Sequence, residues 1–306
     1  MTERLRVGLV GAGPWAHLFT GPMLAASADV EFVGIWSRRP EPAQELARHH
    51  GVTAFAELPD LFAASDAMVF SVPPSVQAAL AAQAARAGLA VLLDKPVGGN
   101  VAEAEALAAA IDTAGVVSQV ILTNRYFDAT RSFLAAAGEF DSYGGRAAFF
   151  GNGCVPGTYF ATPWRVAEGG LLDLGPHVLD ALDAALGPIE AIEAHGDPQR
   201  LVLLECRHAN GRLSQAALSA TTNQPGGLMV EVHGPAGRLA LDVAAFTQAQ
   251  SEAEFATAQR VILSEFAAAV RAGTGHPLDV HRGVHLQRLI ADAARQLTDR
   301  SNRCSA

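Results

Sequence analysis

Apolar residues follow two different patterns along the 306-residue chain. Up to about residue 123, short apolar runs alternate with stretches whose apolar positions recur every three or four residues. The runs at 5–10, 30–36, 52–55, 67–72, 89–93 and 116–122 predict strands. Helical spacing predicts helices after Ala16, over 41–50, over 76–87 and from Asn100 to about 114. Gly51, Gly88 and Gly115 read as helix stops, Ser75 as a cap, and Asn100 with Glu103 as a capping box. Strands that are apolar throughout and alternate with helices imply a doubly wound parallel sheet covered on both faces.

From Asn124 the pattern changes. A helix over 125–137 is followed by a strand at about 146–152 and an irregular loop through Tyr159 and Trp164. A helical segment covers 168–186. Strands at 189–195, 200–207, 213–219, 228–232 and 238–242 then follow with only turns between them, such as His208-Ala209-Asn210-Gly211 and Gly234-Pro235-Ala236-Gly237. That spacing predicts an antiparallel meander. Helices over 252–272 and 282–297 close the chain. The fold class is therefore α/β, with residues 1–123 forming a parallel-sheet domain and 124–306 an α+β domain with an open, mainly antiparallel sheet. Such a sheet carries helices on one face and leaves the other for a second copy, so a homo-oligomer, dimer or tetramer, is expected.

Composition narrows the choice of partners. A formal net charge of −9, with no basic cluster, argues against nucleic acid. Cys154, Cys206 and Cys304 are widely spaced and odd in number, which suits a reducing cytoplasm better than disulfides or a zinc cluster. The apolar run behind Arg4 and Arg6 is too short for a signal peptide. The stretch 76–93 is broken by Gln77, Gln83, Arg86 and Gly88, so it does not span a membrane.

The most informative stretch is Gly11-Ala12-Gly13-Pro14-Trp15-Ala16, a Gly-x-Gly-x-x-Ala turn between the first strand and a helix. Gly11 permits the tight turn, Gly13 lets a pyrophosphate approach the backbone, and Ala16 lets the helix lie close. Pro14 and Trp15 stand at the helix N-terminus, whose N–H groups favour phosphate. An acid at the end of the second strand would hold the ribose 2′-hydroxyl of NAD. Here Ser37-Arg38-Arg39-Pro40 stands instead, which suits a 2′-phosphate and favours NADP over NAD. Ligands of such sheets lie beyond the carboxyl ends of the strands. Gly11, Ser37, Ser71, Pro73, Asp94 and Asn124 are accordingly expected to line one crevice.

Two constellations carry candidate chemistry. Asp94-Lys95-Pro96 follows the fifth strand at the crevice end, where a partly desolvated lysine can donate to a reacting oxygen. In Glu168-Gly169-Gly170-Leu171-Leu172-Asp173-Leu174-Gly175-Pro176-His177-Val178-Leu179-Asp180, helical spacing puts Asp173, His177 and Asp180 on one polar stripe among leucines. A carboxylate beside His177 can hold its tautomer and its protonated form. Pro176 kinks this helix, or the helix begins after Gly170.

With these motifs in order, the chain resembles the Gfo/Idh/MocA oxidoreductases over essentially its full length. The resemblance rests on Gly11-x-Gly13-x-x-Ala16, on Asp94-Lys95-Pro96 where the family usually has Glu-Lys-Pro, on Trp164-Arg165, and on Gly169-Gly170 leading to Asp173, Gly175, His177 and Asp180. It implies a Rossmann domain followed by the open sheet domain, with Lys95, Asp173 and His177 as the catalytic set and a Lys95-Pro96 bond that is cis. The activity implied is hydride transfer between nicotinamide and a carbinol or carbonyl carbon of a sugar, cyclitol or related polyhydroxy compound. Either His177 or Lys95 carries the proton. Asp94 is shorter than the usual glutamate, Gln77 stands where many members have histidine, and the chain is short for the family. A non-catalytic dinucleotide-binding regulator is one alternative. Transient use of the nicotinamide in elimination or glycoside cleavage is another.

Tyr126, Trp164, Arg165 and Asp180 are candidate substrate contacts, with Tyr159 nearby, since aromatic rings stack on sugar faces. His281 and His285 are four apart, yet Gly283 lies between them and no glutamate follows His281, so no metal site is expected. His49 and His50 precede Gly51, where positive charge suits a helix C-terminus.

Overall fold

The structure is a computed structural model that describes residues 3–304, with side chains as far as Asp299. It forms two compact units, Met1–Ile121 with Ala258–Gln287, and Leu122–Thr257 with Arg288–Ala306.

In the first unit the chain runs β1 (Leu5–Val10), a π-helical turn (Ala16–Thr20), α1 (Gly21–Ala26), β2 (Val30–Trp36), α2 (Pro40–His50), β3 (Thr53–Ala54), α3 (Leu58–Ala64), β4 (Ala67–Phe70), α4 (Pro74–Arg86), β5 (Ala90–Asp94), α5 (Val101–Ala114) and β6 (Ser118–Ile121). The six strands pair in parallel in the order β3-β2-β1-β4-β5-β6. Val7, Leu9 and Val10 of β1 and all of β4 are buried, as strands covered on both faces require. Asn100 caps α5 as the sequence indicates: its side chain accepts from the Glu103 N–H at 3.0 Å, and the Glu103 carboxylate returns to the Gly99 N–H at 2.9 Å. Ser75 does not cap α4. Pro74 occupies the first turn, Pro73 is the cap residue, and no side chain caps the helix. The edge strand β6 is closed by the segment 258–287, where the Val120 N–H donates to the Leu278 carbonyl at 2.7 Å and Gln119 Nε2 to that of Ile262 at 3.1 Å.

The second unit begins with a 3₁₀ turn (Thr123–Tyr126), where a single longer helix was expected, and continues with α6 (Asp128–Glu139), β7 (Gly144–Phe150), α7 (Pro163–Leu186), β8 (Ile189–Asp197), β9 (Leu201–His208), β10 (Leu213–Ser219), β11 (Gly227–Gly234) and β12 (Gly237–Asp242). Helices α8 (Gln248–Ala272) and α9 (Val280–Cys304) follow. The sheet order is β12-β11-β7-β10-β9-β8. The two expected hairpin turns are present, but the strands do not form one meander: β7 inserts between β10 and β11 and runs parallel to β10. Along β9 the residues alternate exposed and buried, with Val202, Leu204, Cys206 and His208 facing inward. Helix α7 packs on this sheet. His208 ties the end of α7 to the hairpin, its Nδ1 2.6 Å from the Gly187 carbonyl and its Nε2 2.8 Å from Ser214 Oγ. The sheet's other face carries exposed Leu201, Leu203 and Leu213. No described helix is long and apolar enough to cross a membrane.

Candidate active site

In the first unit, the ends of β1 and β4 converge at Gly11. Its φ is +116°, its N–H donates to the Trp36 carbonyl at 2.8 Å, and a Cβ there would stand 2.3 Å from the Ser71 carbonyl oxygen. Only glycine fits such a position. Gly13 is the opposite case, because a Cβ there would meet nothing within 4 Å. Its carbonyl accepts from the His17 N–H at 3.1 Å as the helical turn begins, Ala16 is buried beneath it, and Trp15 stacks on Phe19 with centroids 4.6 Å apart. Ser71 Oγ is buried with no hydrogen-bond partner. Open backbone at Gly13 and an orphaned hydroxyl at the neighbouring strand end fit a dinucleotide's pyrophosphate.

Ser37 closes the turn after β2 by donating to the Arg39 carbonyl, so its proton is used locally. Arg38 and Arg39 are exposed, and among the described residues neither forms an ion pair. They are the available donors at the end of β2. At the end of β5, Lys95 is half-buried and the Lys95-Pro96 peptide is cis, as the family resemblance implied. Lys95 is also the only lysine in the chain; the other 21 of the 22 Lys and Arg residues are arginines. Its N–H donates to Asp94 Oδ1 at 2.8 Å.

In the second unit, α7 is broken at Gly169 (φ +74°, ψ −170°) rather than at Pro176, which stays within the helix. A Cβ on Gly169 would lie 2.4 Å from the Pro198 carbonyl oxygen. The break lets Arg165 turn back onto the helix and donate from Nε to Asp173 Oδ1 at 3.1 Å, with both side chains nearly enclosed. The Arg165 guanidinium lies over the rings of Trp164 (4.7 Å) and Phe160 (5.8 Å). His177 is the one partly exposed residue between Gly169 and Asp183, and its ring is 5.8 Å from that of Phe149.

Three of the expected substrate contacts are engaged within the unit. Arg165 holds Asp173. The Asp180 side chain is 1% exposed, and Arg125 Nη1 donates to both its carboxylate oxygens at 3.1 Å. Tyr126 is fully buried, with Arg131 5.5 Å above its ring, so it packs the unit's interior. Trp164 and the exposed Tyr159 lie in the same aromatic group as Phe160, the two neighbouring rings 5.3 Å apart. Asn124 is half-buried in the 3₁₀ turn. Arg125 was missed, since no local signal tells a buried ion-pair partner from a surface arginine.

Burial pushes the Cys206 thiol up to about 12, which makes it inert, and Cys154 Sγ contacts the Arg165 carbonyl at 3.2 Å. The side chain of Cys304 lies outside the described residues. Burial first, then His49 and His17, holds His50 below its ordinary pKa, which works against the positive helix end its position suggested. His281 Nε2 lies 3.0 Å from Asp112 Oδ1. Among the described residues no group of three or more His, Cys, Asp or Glu could hold a metal ion.

Residues 5–122 match the family described as oxidoreductases with an NAD-binding Rossmann fold, Gfo/Idh/MocA. A trans-1,2-dihydrobenzene-1,2-diol dehydrogenase from Bos taurus is 29% identical over 238 residues, which cover 75% of this chain and 66% of that one, just under two thirds of its length. Among solved structures, GenD2 from gentamicin A biosynthesis, in complex with NAD, superposes with a TM-score of 0.86 at 23% identity, covering 98% of this chain and 95% of that one. A myo-inositol dehydrogenase from Corynebacterium glutamicum gives 0.83 at 21% identity, covering 97% of each chain. At those identities the structures show a shared fold. The segment 5–122 is thus similar to the NAD-binding Rossmann domain of the Gfo/Idh/MocA oxidoreductases, and the fold as a whole is shared with the solved structures.

Proposed function

We propose that this protein is a nicotinamide-dependent dehydrogenase or reductase acting on a CH–OH group of a sugar, cyclitol or related polyhydroxy compound. One observation carries the reading: the chain's only lysine stands at the carboxyl end of a central strand of the dinucleotide-binding sheet. Elsewhere the chain meets every need for positive charge with arginine, which does not release a proton in proteins. A position that keeps an ammonium group suits a proton donor or an oxygen-polarising group.

When bound, the nicotinamide supplies the hydride acceptor or donor. Lys95 polarises the reacting oxygen. His177, at the accessible point of the buried α7 surface, exchanges the hydroxyl proton. Asp173, one helical turn before it and fixed by Arg165, orients the imidazole. In the oxidative direction the carbinol carbon loses a hydride to the nicotinamide and its hydroxyl loses a proton to the protein, so the step balances without a further oxidant. Gly11, Gly13, Pro14, Trp15, Ala16, Ser71, Pro73 and Asn124 hold the dinucleotide. Arg38 and Arg39 favour NADPH, because two unengaged guanidiniums suit a 2′-phosphate.

The relatives' names, a cyclic diol and a cyclitol dehydrogenase, favour a ring bearing neighbouring hydroxyls, which Trp164 and Tyr159 would stack against. The open sheet face, with Leu201, Leu203 and Leu213 beside the Arg146, Glu231 and Arg238 ion-pair group, favours a homo-oligomer, a dimer or tetramer. The buried, unbridged Cys154 and Cys206 suit a reducing cytoplasm.

Titrating NADPH and NADH by nicotinamide fluorescence, then screening sugars, cyclitols and cyclic diols for a change in nicotinamide absorbance, tests this reading. It predicts NADPH binding about tenfold or more tighter than NADH, worth about 1.4 kcal/mol, and turnover of at least one polyol. A protein that binds neither dinucleotide contradicts it.

A further inference from the structure

Gln77 has no solvent exposure and sits on a helix whose other buried residues are Pro74 and alanines. A buried primary amide must be fully hydrogen-bonded to be tolerated there. Its partners are concentrated on one short segment. Nε2 donates to the Asp94 carbonyl at 2.7 Å and to the Pro96 carbonyl at 3.2 Å, while Oε1 accepts from the Asp94 N–H at 2.8 Å. These bonds grip the main chain immediately before and immediately after Lys95. The Lys95 N–H is in turn bound to Asp94 Oδ1 at 2.8 Å. One side chain thus fixes the main chain on both flanks of the only lysine in the protein.

We infer that Gln77 is a positioning residue for Lys95, holding the turn at the end of β5 so that the ammonium is presented in one place. The inference rests on the reading that Lys95 is the reacting group. Reacting groups must be held to within a fraction of an ångström, and rigid supports on neighbouring elements provide that. The hydrogen bonds run from α4 to β5, two elements of one sheet domain.

Because the chain has a single lysine, amine-selective acetylation modifies only Lys95 and the chain's α-amine, which gives an internal reference within each molecule. The experiment labels the full-length protein without substrate, using the N-hydroxysuccinimide ester of acetic acid, and measures both rates by mass spectrometry. Gln77→Met removes these hydrogen bonds. Gln77→Glu keeps the shape and the acceptor but turns a negative oxygen toward two carbonyls. Gln77→His retains a donor and an acceptor.

The ratio of Lys95 to α-amine labelling is expected to change by about threefold or more in Gln77→Met and Gln77→Glu, and to return toward wild type in Gln77→His. A wild-type ratio in a folded Gln77→Met or Gln77→Glu protein overturns the inference. So does loss of folding in both variants, since that marks Gln77 as a general packing residue. An unchanged ratio alongside an inactive Lys95→Met enzyme sinks the positioning role alone. Wild-type turnover in Lys95→Met sinks the catalytic reading beneath it.

Discussion

Arg165 donates from Nε to Asp173 Oδ1 at 3.1 Å across a break in a single helix, and the two side chains are 12% and 8% exposed. The break exists because Gly169 adopts a positive φ against the Pro198 carbonyl, so the turn before it folds back over the turn after it. An enclosed charge pair is costly to break from one side, because the remaining partner loses both water and its counter-charge. Arg165→Met should therefore cost about 3 kcal/mol in urea denaturation, while adding Asp173→Asn to it should cost little more. A double-mutant cycle with an interaction energy below about 0.5 kcal/mol would show that the pair is not coupled.

Much of the first unit was legible in the sequence because its signals are local. Gly11 to Ala16 carry the strand, turn and helix within a dozen residues, and Asn100 and Glu103 cap α5 through contacts three residues apart. Helix α3 was not among the expected elements, because only Leu58 and Leu61 of its seven residues are buried, too few to make a helical apolar stripe. In the second unit the hairpin turns were legible, but hairpins fix only consecutive neighbours. The insertion of β7 between β10 and β11 is a non-local pairing with no signature in either strand. The same limit applied at the candidate site. Asp173, His177 and Asp180 were found by helical spacing, whereas the partners of the two carboxylates, Arg165 and Arg125, depend on tertiary contacts.

Arg38 and Arg39 give the cofactor preference a direct test. If they meet a 2′-phosphate, Arg38→Ala with Arg39→Ala should weaken NADPH binding by about tenfold to a hundredfold, about 1.4–3 kcal/mol, and leave NADH binding within about twofold. The loss should shrink as salt is raised, since both groups are solvent-exposed. Equal weakening of both dinucleotides in fluorescence titrations would assign the arginines to general attraction rather than to discrimination.

His50 sets a pH dependence near neutrality. Its pKa is lowered by burial, then by His49 and His17, so the unfolded chain binds a proton more readily than the folded one. The stabilisation is complete above the unfolded value of about 6.5 and is lost as the pH falls from there toward the lower folded value. Thermal unfolding followed from pH 8 to pH 5 should show a falling midpoint, and His50→Gln should flatten that fall by about 1–3 °C. A slope identical in the two proteins would remove His50 as its source.

The central claim is that Lys95 performs chemistry on a substrate held by an NAD-binding fold, and the most direct measurement is steady-state turnover of Lys95→Met with the polyol that the wild-type protein oxidises or whose carbonyl form it reduces. Loss of the ammonium should reduce kcat by about a hundredfold or more, while the dissociation constant for NADPH stays within about threefold. A variant that binds NADPH normally and turns over at the wild-type rate would contradict the account.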